Sequence, residues 1–216
     1  AIHTDDANEN DDNPQQATLI TSTPFTGTFA LLDEDWFNIS TSLHQEITVG
    51  IDNFMFDMYD IFVSVYDSED TSNEIASARF RNDQFKNITF LATSATTYIS
   101  VYTSGIYDNY DLYIDTGIVH ADDPYEDNDD GTSAYELTNL PFSDTLALLD
   151  EDWFTVSTAI NQEVFVCIDN FESEGGYILL DFYSSSEYID SRLFYGYEGS
   201  NIRFLSTDTI VYFKIS

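Results

Sequence analysis

Two short acidic phrases contain the residue types in this sequence that are best suited to chemistry. The seven residues Leu-Leu-Asp-Glu-Asp-Trp-Phe stand at 31–37 and return unchanged at 148–154. Each phrase places two aspartates around a glutamate: Asp33 and Asp35 in the first, Asp150 and Asp152 in the second. Alternate residues of an extended chain point to the same side, so each pair can direct two carboxylates towards one point. Such oxygens favour a hard divalent cation, and we expect calcium (Ca²⁺).

A second acidic segment opens each half of the chain. Residues 8–17 read NENDDNPQQA and residues 125–134 read YEDNDDGTSA, which predicts loops rich in carboxylate and amide oxygens. Calcium takes about six to eight oxygen ligands, so a loop that wraps one side of an ion could complete the pair on the other side. Solvated acidic turns are the alternative, because the chain has 40 acidic residues. The repeated order of the acidic phrase favours the ion, since solvation alone does not require a fixed order.

The two halves are a tandem duplication. The phrase shifts by 148 − 31 = 117 residues, and the same shift carries Ile47, Val49 and Ile51 onto Val164, Val166 and Ile168. A period this long predicts two domains rather than an array of short repeats. We place them at residues 1–117 and 118–216, joined by a short polar linker at 115–124.

The fold class predicted for both halves is all-β, as two tandem jelly-roll-like antiparallel β-sandwich domains. Short runs rich in Val, Ile, Thr, Tyr and Phe alternate with Asp, Asn and Ser turns, and no amphipathic helix stands out. The period of two places Phe37 and Phe154 in the cores. It places Trp36 and Trp153 on the opposite face, either covering the acidic loop or stacking on a ligand. The second half ends before a counterpart of residues 104–115, so we expect it to lack its last strand.

The charge of the chain excludes several classes of partner. Six basic residues against 40 acidic ones give a net charge of −34. Nucleic acid and anionic membrane surfaces are bound through Lys and Arg clusters, which this chain lacks. Such a charge repels itself unless salt screens it or cations bind it, which favours a seawater-like, marine or halophilic, extracellular medium. We find no membrane span, and interpret the single cysteine, Cys167, as a packed thiol.

Four motifs, in a common order, resemble those of a known family. They are EDNDD at 126–130 followed by Ala134, DEDWF at 150–154, VYD at 65–67 and YISV at 98–101. In this respect the chain is similar to bacterial pre-peptidase C-terminal (PPC) domains, which include the collagen-binding domains of bacterial collagenases. The resemblance covers nearly the whole chain, twice.

The resemblance implies a secreted, non-catalytic β-sandwich pair attached to the catalytic domain of a larger parent chain. It also implies calcium ligands in both halves. The first copy has Asn8 at the family's glutamate position and one extra residue before Ala17, so we expect its site to be the weaker one. The metal ligands that it nominates are Asn10, Asp11, Asp33, Asp35, Glu126, Asn128, Asp129, Asp150 and Asp152.

Three classes of function are therefore weighed. The first is a calcium-binding accessory module pair of a secreted bacterial protein, such as an exported peptidase, that aids attachment to an extracellular protein or surface, or aids folding. The alternative is a carbohydrate-binding or adhesin module that stacks Trp36 or Trp153 on a polysaccharide. An enzyme that uses paired carboxylates is the least favoured class. The acidic pairs recur identically in both copies, and the histidines fall at non-equivalent positions.

Overall fold

The computed structural model of the chain describes residues 11–54, 60–81, 86–103, 108–169, 177–185, 187–195 and 200–216. The chain divides into two compact units, Ala1–His120 and Ala121–Ser216. We call them the first unit and the second unit. No helix in the described ranges is long and apolar enough to cross a membrane.

The first unit consists of nine strands and one 3-10 turn at Pro14–Gln16 in its described residues. Residues with β-branched or aromatic side chains dominate the strands, and Asp, Asn, Ser and Thr dominate the turns. The strands are β1 (Thr18–Ile20), β2 (Phe25–Leu31), β3 (Asp35–Ser40), β4 (Gln45–Asp52), β5 (Ile61–Tyr66), β6 (Glu74–Phe80), β7 (Lys86–Leu91), β8 (Thr96–Thr103) and β9 (Asp108–Val119).

Two sheets enclose the core of the first unit. One has the order β1-β3-β8-β5-β6 and the other the order β2-β9-β4-β7. The β1–β3 pair is parallel, and the remaining pairs are antiparallel. Side chains of both sheets, such as Phe37 of β3 and Val49 of β4, meet in one buried cluster. The prediction of an all-β sandwich is confirmed.

The second unit repeats the first of these sheets in full. Its five-stranded sheet has the order β10-β11-β16-β13-β14, and β12 pairs with β15 in a separate two-stranded ladder. Its strands are β10 (Tyr135–Glu136), β11 (Asp152–Ser157), β12 (Glu163–Ile168), β13 (Tyr177–Ser184), β14 (Tyr188–Tyr195), β15 (Ser200–Leu205) and β16 (Ile210–Ile215). Residues 142–148, which match β2 by the 117-residue shift, are not a strand.

Several expectations about single positions can be compared with this fold. Phe37 and Phe154 are core residues, 0% and 1% exposed, as predicted. Cys167 is exposed, so its interpretation as a packed thiol is wrong. It lies on β12, where a two-stranded ladder leaves the outer face to solvent. Residues 115–119 belong to β9 rather than to a linker, because Val119 still pairs with Gln45 across a bulge.

Candidate metal centre in the second unit

A corner of the second unit is built from its opening loop and the start of β11. The Trp153 backbone N–H donates to the Asn128 carbonyl at 2.8 Å, which holds the loop against the strand. The Trp153 ring stacks on Tyr183 at 5.1 Å between centroids. A Cβ at Gly131 would lie 3.4 Å from the same ring, so the indole also packs against the loop. These contacts favour the structural role expected for the tryptophan.

Carboxylates converge at this corner around Glu126. One group consists of Asp123, Glu126 and Asp152, and a second of Glu126, Asp129 and Asp150. Within each group, one oxygen from each residue lies within 4.8 Å of the others. Three carboxylates this close together repel one another unless they are protonated or share a cation.

Burial makes the corner unusual among acidic clusters. Asn128 is 0% exposed and Asp152 is 1% exposed. The side-chain oxygen and nitrogen of Asn128, both carboxylate oxygens of Asp152 and Oε1 of Glu126 are buried without a hydrogen bond. A buried polar group that lacks a partner costs about 1–3 kcal/mol, and more when it is charged. Such a concentration of unmet groups indicates that the corner is shaped for a ligand.

The same burial shifts the acidity of two carboxyl groups. Loss of solvation raises the pKa of Asp152 to about 7, and the charges of Asp123 and Asp150 add to that rise, while the Asn128 amide opposes it. Loss of solvation also raises the pKa of Glu126 to about 8, with a hydrogen bond to Asp122 next in size. Both shifts have one cause: negative charge is costly here without a compensating positive charge.

The equivalent corner of the first unit meets its needs internally. The Thr18 hydroxyl donates to Oδ2 of Asp11 at 2.9 Å, and the Tyr110 hydroxyl donates to Oδ2 of Asp35 at 2.8 Å. Position 135 of the second unit carries tyrosine where the first unit has Thr18, and no strand of the described second unit supplies a counterpart of Tyr110. The difference explains why buried oxygens are partnered in one unit and left without hydrogen bonds in the other.

The structure also corrects the expected alignment of the two loops. The Trp36 N–H donates to the Asp11 carbonyl at 2.9 Å, as the Trp153 N–H does to that of Asn128. Asp11 therefore occupies the Asn128 position, and the 117-residue shift continues through the loop. The extra residue expected before Ala17 is not there. By this shift, Glu9 rather than Asn8 matches Glu126; both lie outside the described residues, as does Asn10.

The predicted ligands fall into two sets. Glu126, Asn128, Asp129, Asp150 and Asp152 all belong to the corner of the second unit. In the first unit Asp11 and Asp35 are buried and Asp33 is exposed. The described residues of that unit alone do not bring three carboxylates together.

Asp123 joins the corner although sequence reasoning did not nominate it. Its carboxylate accepts hydrogen bonds from the backbone N–H groups of Tyr125, at 2.9 Å, and Ala147, at 3.3 Å. The Asp-Asp pair directly before Pro124 was the available signal, because it adjoins the nominated loop.

Comparison with known proteins adds no family. No family model matches the chain, and no curated protein is detectably similar. Among solved structures, a similar chain is the PBSX exported protein XepA. The match covers 89% of this chain and 84% of that chain, at 8% identity and a TM-score of 0.35. A likeness at this level carries no information about activity or partners.

Proposed function

We propose that this chain is a pair of non-catalytic, calcium-stabilised accessory modules of a secreted bacterial protein, of the pre-peptidase C-terminal type. The observation that carries the proposal is the corner of the second unit. There, buried Asn128 and Asp152 lack hydrogen-bond partners beside three further carboxylates.

The donor set favours calcium over other metals. Carboxylates and one amide supply only hard oxygen atoms, whereas zinc and copper sites rely on histidine and cysteine. Magnesium requires a near-octahedral shell and loses its water reluctantly. Calcium accepts an irregular set of ligands from a loop and a strand, and binding it would offset both the desolvation and the mutual repulsion of these groups.

The charge of the whole chain agrees with an extracellular, calcium-rich setting, marine or halophilic in type. Calcium sites of extracellular modules commonly have dissociation constants of about 0.1–1 mM, matched to the medium outside cells. A net charge of −34 calls for screening or bound cations. A stable β-sandwich pair of this kind would hold a parent enzyme near an extracellular protein or surface.

Carbohydrate binding is the second candidate, at a different place from the two tryptophans. Trp36 is 5% exposed and stacks on Tyr66 at 5.5 Å, so its ring is not a sugar platform. An exposed aromatic pair does exist in the first unit, where Phe62 and Tyr102 stack at 5.1 Å beside a hollow of about 330 Å³. Glycan-array binding that Tyr102→Ala removes would support this candidate.

Thermal unfolding with and without calcium tests the main proposal. At about 100 times its dissociation constant, calcium would stabilise the second unit by about 2.7 kcal/mol. For a domain of this size, that corresponds to a rise in Tm of about 10 °C or more. Titration calorimetry should give a saturable calcium site. An unchanged Tm between chelator and millimolar calcium, with no heat of binding, would remove the metal from the proposal.

A further inference from the structure

The duplication supplies an internal reference for the second unit. In the first unit, β4 lies between β9 and β7. Its counterpart β12 pairs with β15 in the described residues, in the register that β4 makes with β7: Val49 faces Ile88, and Val166 faces Ile202. The side of β12 that corresponds to the β9 side of β4 has no strand among the described residues.

The exposure of equivalent side chains shows the consequence. Val49 and Ile51 of β4 are fully buried, whereas Val166 and Ile168 of β12 are partly exposed, although they pack against the core. Leu31 of β2 is 3% exposed, whereas Leu148, its equivalent, is 37% exposed. The segment 142–148 lies without a strand partner, although Phe142 and Leu146 pack against the core.

A single residue type identifies what a strand here would bring. In the first unit, Tyr110 of β9 is 1% exposed and donates its hydroxyl to Asp35. Asp152 stands at the position of Asp35, and both of its oxygens lack a hydrogen bond. A strand in the place of β9 with tyrosine at this position would supply the donor. Leu112 and Ile114, which follow on the same face of β9, are also buried.

We propose that the open edge of β12 receives one extended strand from a separate polypeptide, antiparallel to β12, with the pattern Tyr-x-Leu-x-Ile. The strand completes the sheet between β12 and residues 142–148 and donates a tyrosine hydroxyl to Asp152. Backbone hydrogen bonds give the affinity, and the alternating side chains give the specificity. A carboxylate has two oxygens, so one can accept the hydroxyl while the other faces a cation, and the proposal does not depend on calcium.

A second copy of this chain fits the edge less well than an isolated strand does. The β12 strand of another copy already carries β15 on one side, so it cannot pair with residues 142–148 as well. Val164, Val166 and Ile168 offer no hydroxyl to Asp152. Only a strand with two unpaired edges and a tyrosine meets both needs.

The first test uses a fluorescent peptide with the sequence of residues 108–119, DNYDLYIDTGIV, and the full chain. Anisotropy should show saturable binding, both in calcium and in chelator. A peptide with Tyr110→Phe should bind about tenfold more weakly, since it lacks the hydrogen bond to a charged group. A peptide with serine in place of Tyr110, Leu112 and Ile114 should not bind. Absence of saturable binding by the parent peptide would overturn the proposal, whatever calcium does.

The second test determines the register. In the first unit Gly50 faces Tyr113 across β4 and β9, and Cys167 stands at the position of Gly50. A peptide with Tyr113→Cys, activated as a mixed disulfide with thionitrobenzoate, should therefore cross-link to Cys167. The Cys167 thiolate attacks the peptide sulfur, a new disulfide forms and thionitrobenzoate leaves. Peptides with cysteine at position 112 or 114 should react far more slowly, because those side chains face the core; equal rates would overturn the register.

A fused chain provides the control for the site. Residues 104–119 are appended after Ser216, in the order in which they follow β8 in the first unit. We expect the fusion to raise the lower Tm and to abolish both peptide binding and cross-linking. If the fusion binds the peptide as well as the unmodified chain does, the peptide site is elsewhere and the proposal fails. Concentration-dependent dimers that exclude the peptide from the unmodified chain would assign the edge to a second copy instead.

Discussion

Asp35 and Asp152 occupy equivalent positions but have different surroundings. Asp35 accepts a hydroxyl from Tyr110, whereas both oxygens of Asp152 are buried without a hydrogen bond. The same substitution should therefore have different effects in the two units. In chelator, Asp152→Asn should leave the second unit as stable as before or more stable, because a neutral amide is less costly to bury than a carboxylate. In calcium, it should lose most of the rise in Tm.

Asp35→Asn is the matched control. It loses a hydrogen bond to a charged acceptor, so we expect about 1.5–3 kcal/mol of destabilisation of the first unit, with or without calcium. Denaturant unfolding followed in both conditions measures the two variants. Equal calcium responses in Asp152→Asn and the unsubstituted chain would contradict the assignment of Asp152 as a ligand.

Asp60 provides a pH-dependent contribution to the stability of the first unit. Two of the six basic residues of the chain, Arg79 and Arg81, bind its carboxylate, with 2.7 Å between Nε of Arg81 and Oδ1. Hydrogen bonds from Arg81 and then Arg79 lower the pKa of Asp60 from 3.8 to about 2. The folded-state pKa lies below the unfolded one. The stabilisation is therefore present above pH 3.8 and is lost as the pH falls through about 2.

Asp60→Asn measures this contribution. The variant should be less stable than the unsubstituted chain at pH 5, and the difference should narrow as the pH falls from 4 to 2, the interval set by the two pKa values. Thermal melts of both proteins across this interval give the comparison, in which the other carboxylates cancel. A difference that is constant with pH would contradict the role of the ion pairs.

At the scale of elements, one cross-strand site is solved differently in the two units. Ser64 of β5 faces Ser100 of β8, whereas Asp181 of β13 faces Lys214 of β16. The Lys214 ammonium lies 3.0 Å from Glu151 and 3.6 Å from Asp181. Lys214→Ser should destabilise the second unit by about 1–3 kcal/mol, because Asp181 is then buried without its cation.

The double variant Lys214→Ser/Asp181→Ser reproduces the arrangement of the first unit and is the control. It should recover most of the lost stability, since neither charge then remains. Urea unfolding of the two single variants and the double variant gives the coupling free energy between the positions. Additive effects would contradict the interaction.

The sequence predicts strands well wherever a single strand carries its own pattern. Alternating Ile47, Val49 and Ile51 predict β4, and their shifted counterparts predict β12. It does not predict that residues 142–148 fail to form a strand, although Phe142 and Leu146 repeat the apolar residues of β2. A strand needs a partner far away in sequence, and the partner of β2 is β9, which has no counterpart among the described strands of the second unit. Such a loss is non-local, so local pattern does not reveal it.

The candidate site shows a similar limit. The recurrence of the acidic phrase indicates which residues lie at the corner, including Asn128 and Asp152. It does not distinguish the two corners, because the difference depends on Thr18 and Tyr110, which reach the carboxylates from other strands. These donors become visible only in three dimensions.

At the scale of the whole molecule, the two units should respond differently to salt and to calcium. Among the described residues, the buried core cluster has 19 members in the first unit and 10 in the second, so we expect the second unit to melt first. Sodium chloride should raise both transitions in calorimetry, because it screens a charge of −34. Calcium chloride of the same ionic strength should raise chiefly the lower transition, since its carboxylate corner lies in the second unit.

Magnesium chloride is the matched control for ion type, and we expect it to raise the lower transition less than calcium does. Asp152→Asn should reduce the response to calcium to that of sodium at equal ionic strength, while the upper transition stays unchanged. If calcium and sodium shift both transitions equally, the divalent ion acts only by screening. The corner of the second unit would then be an acidic cluster without a metal.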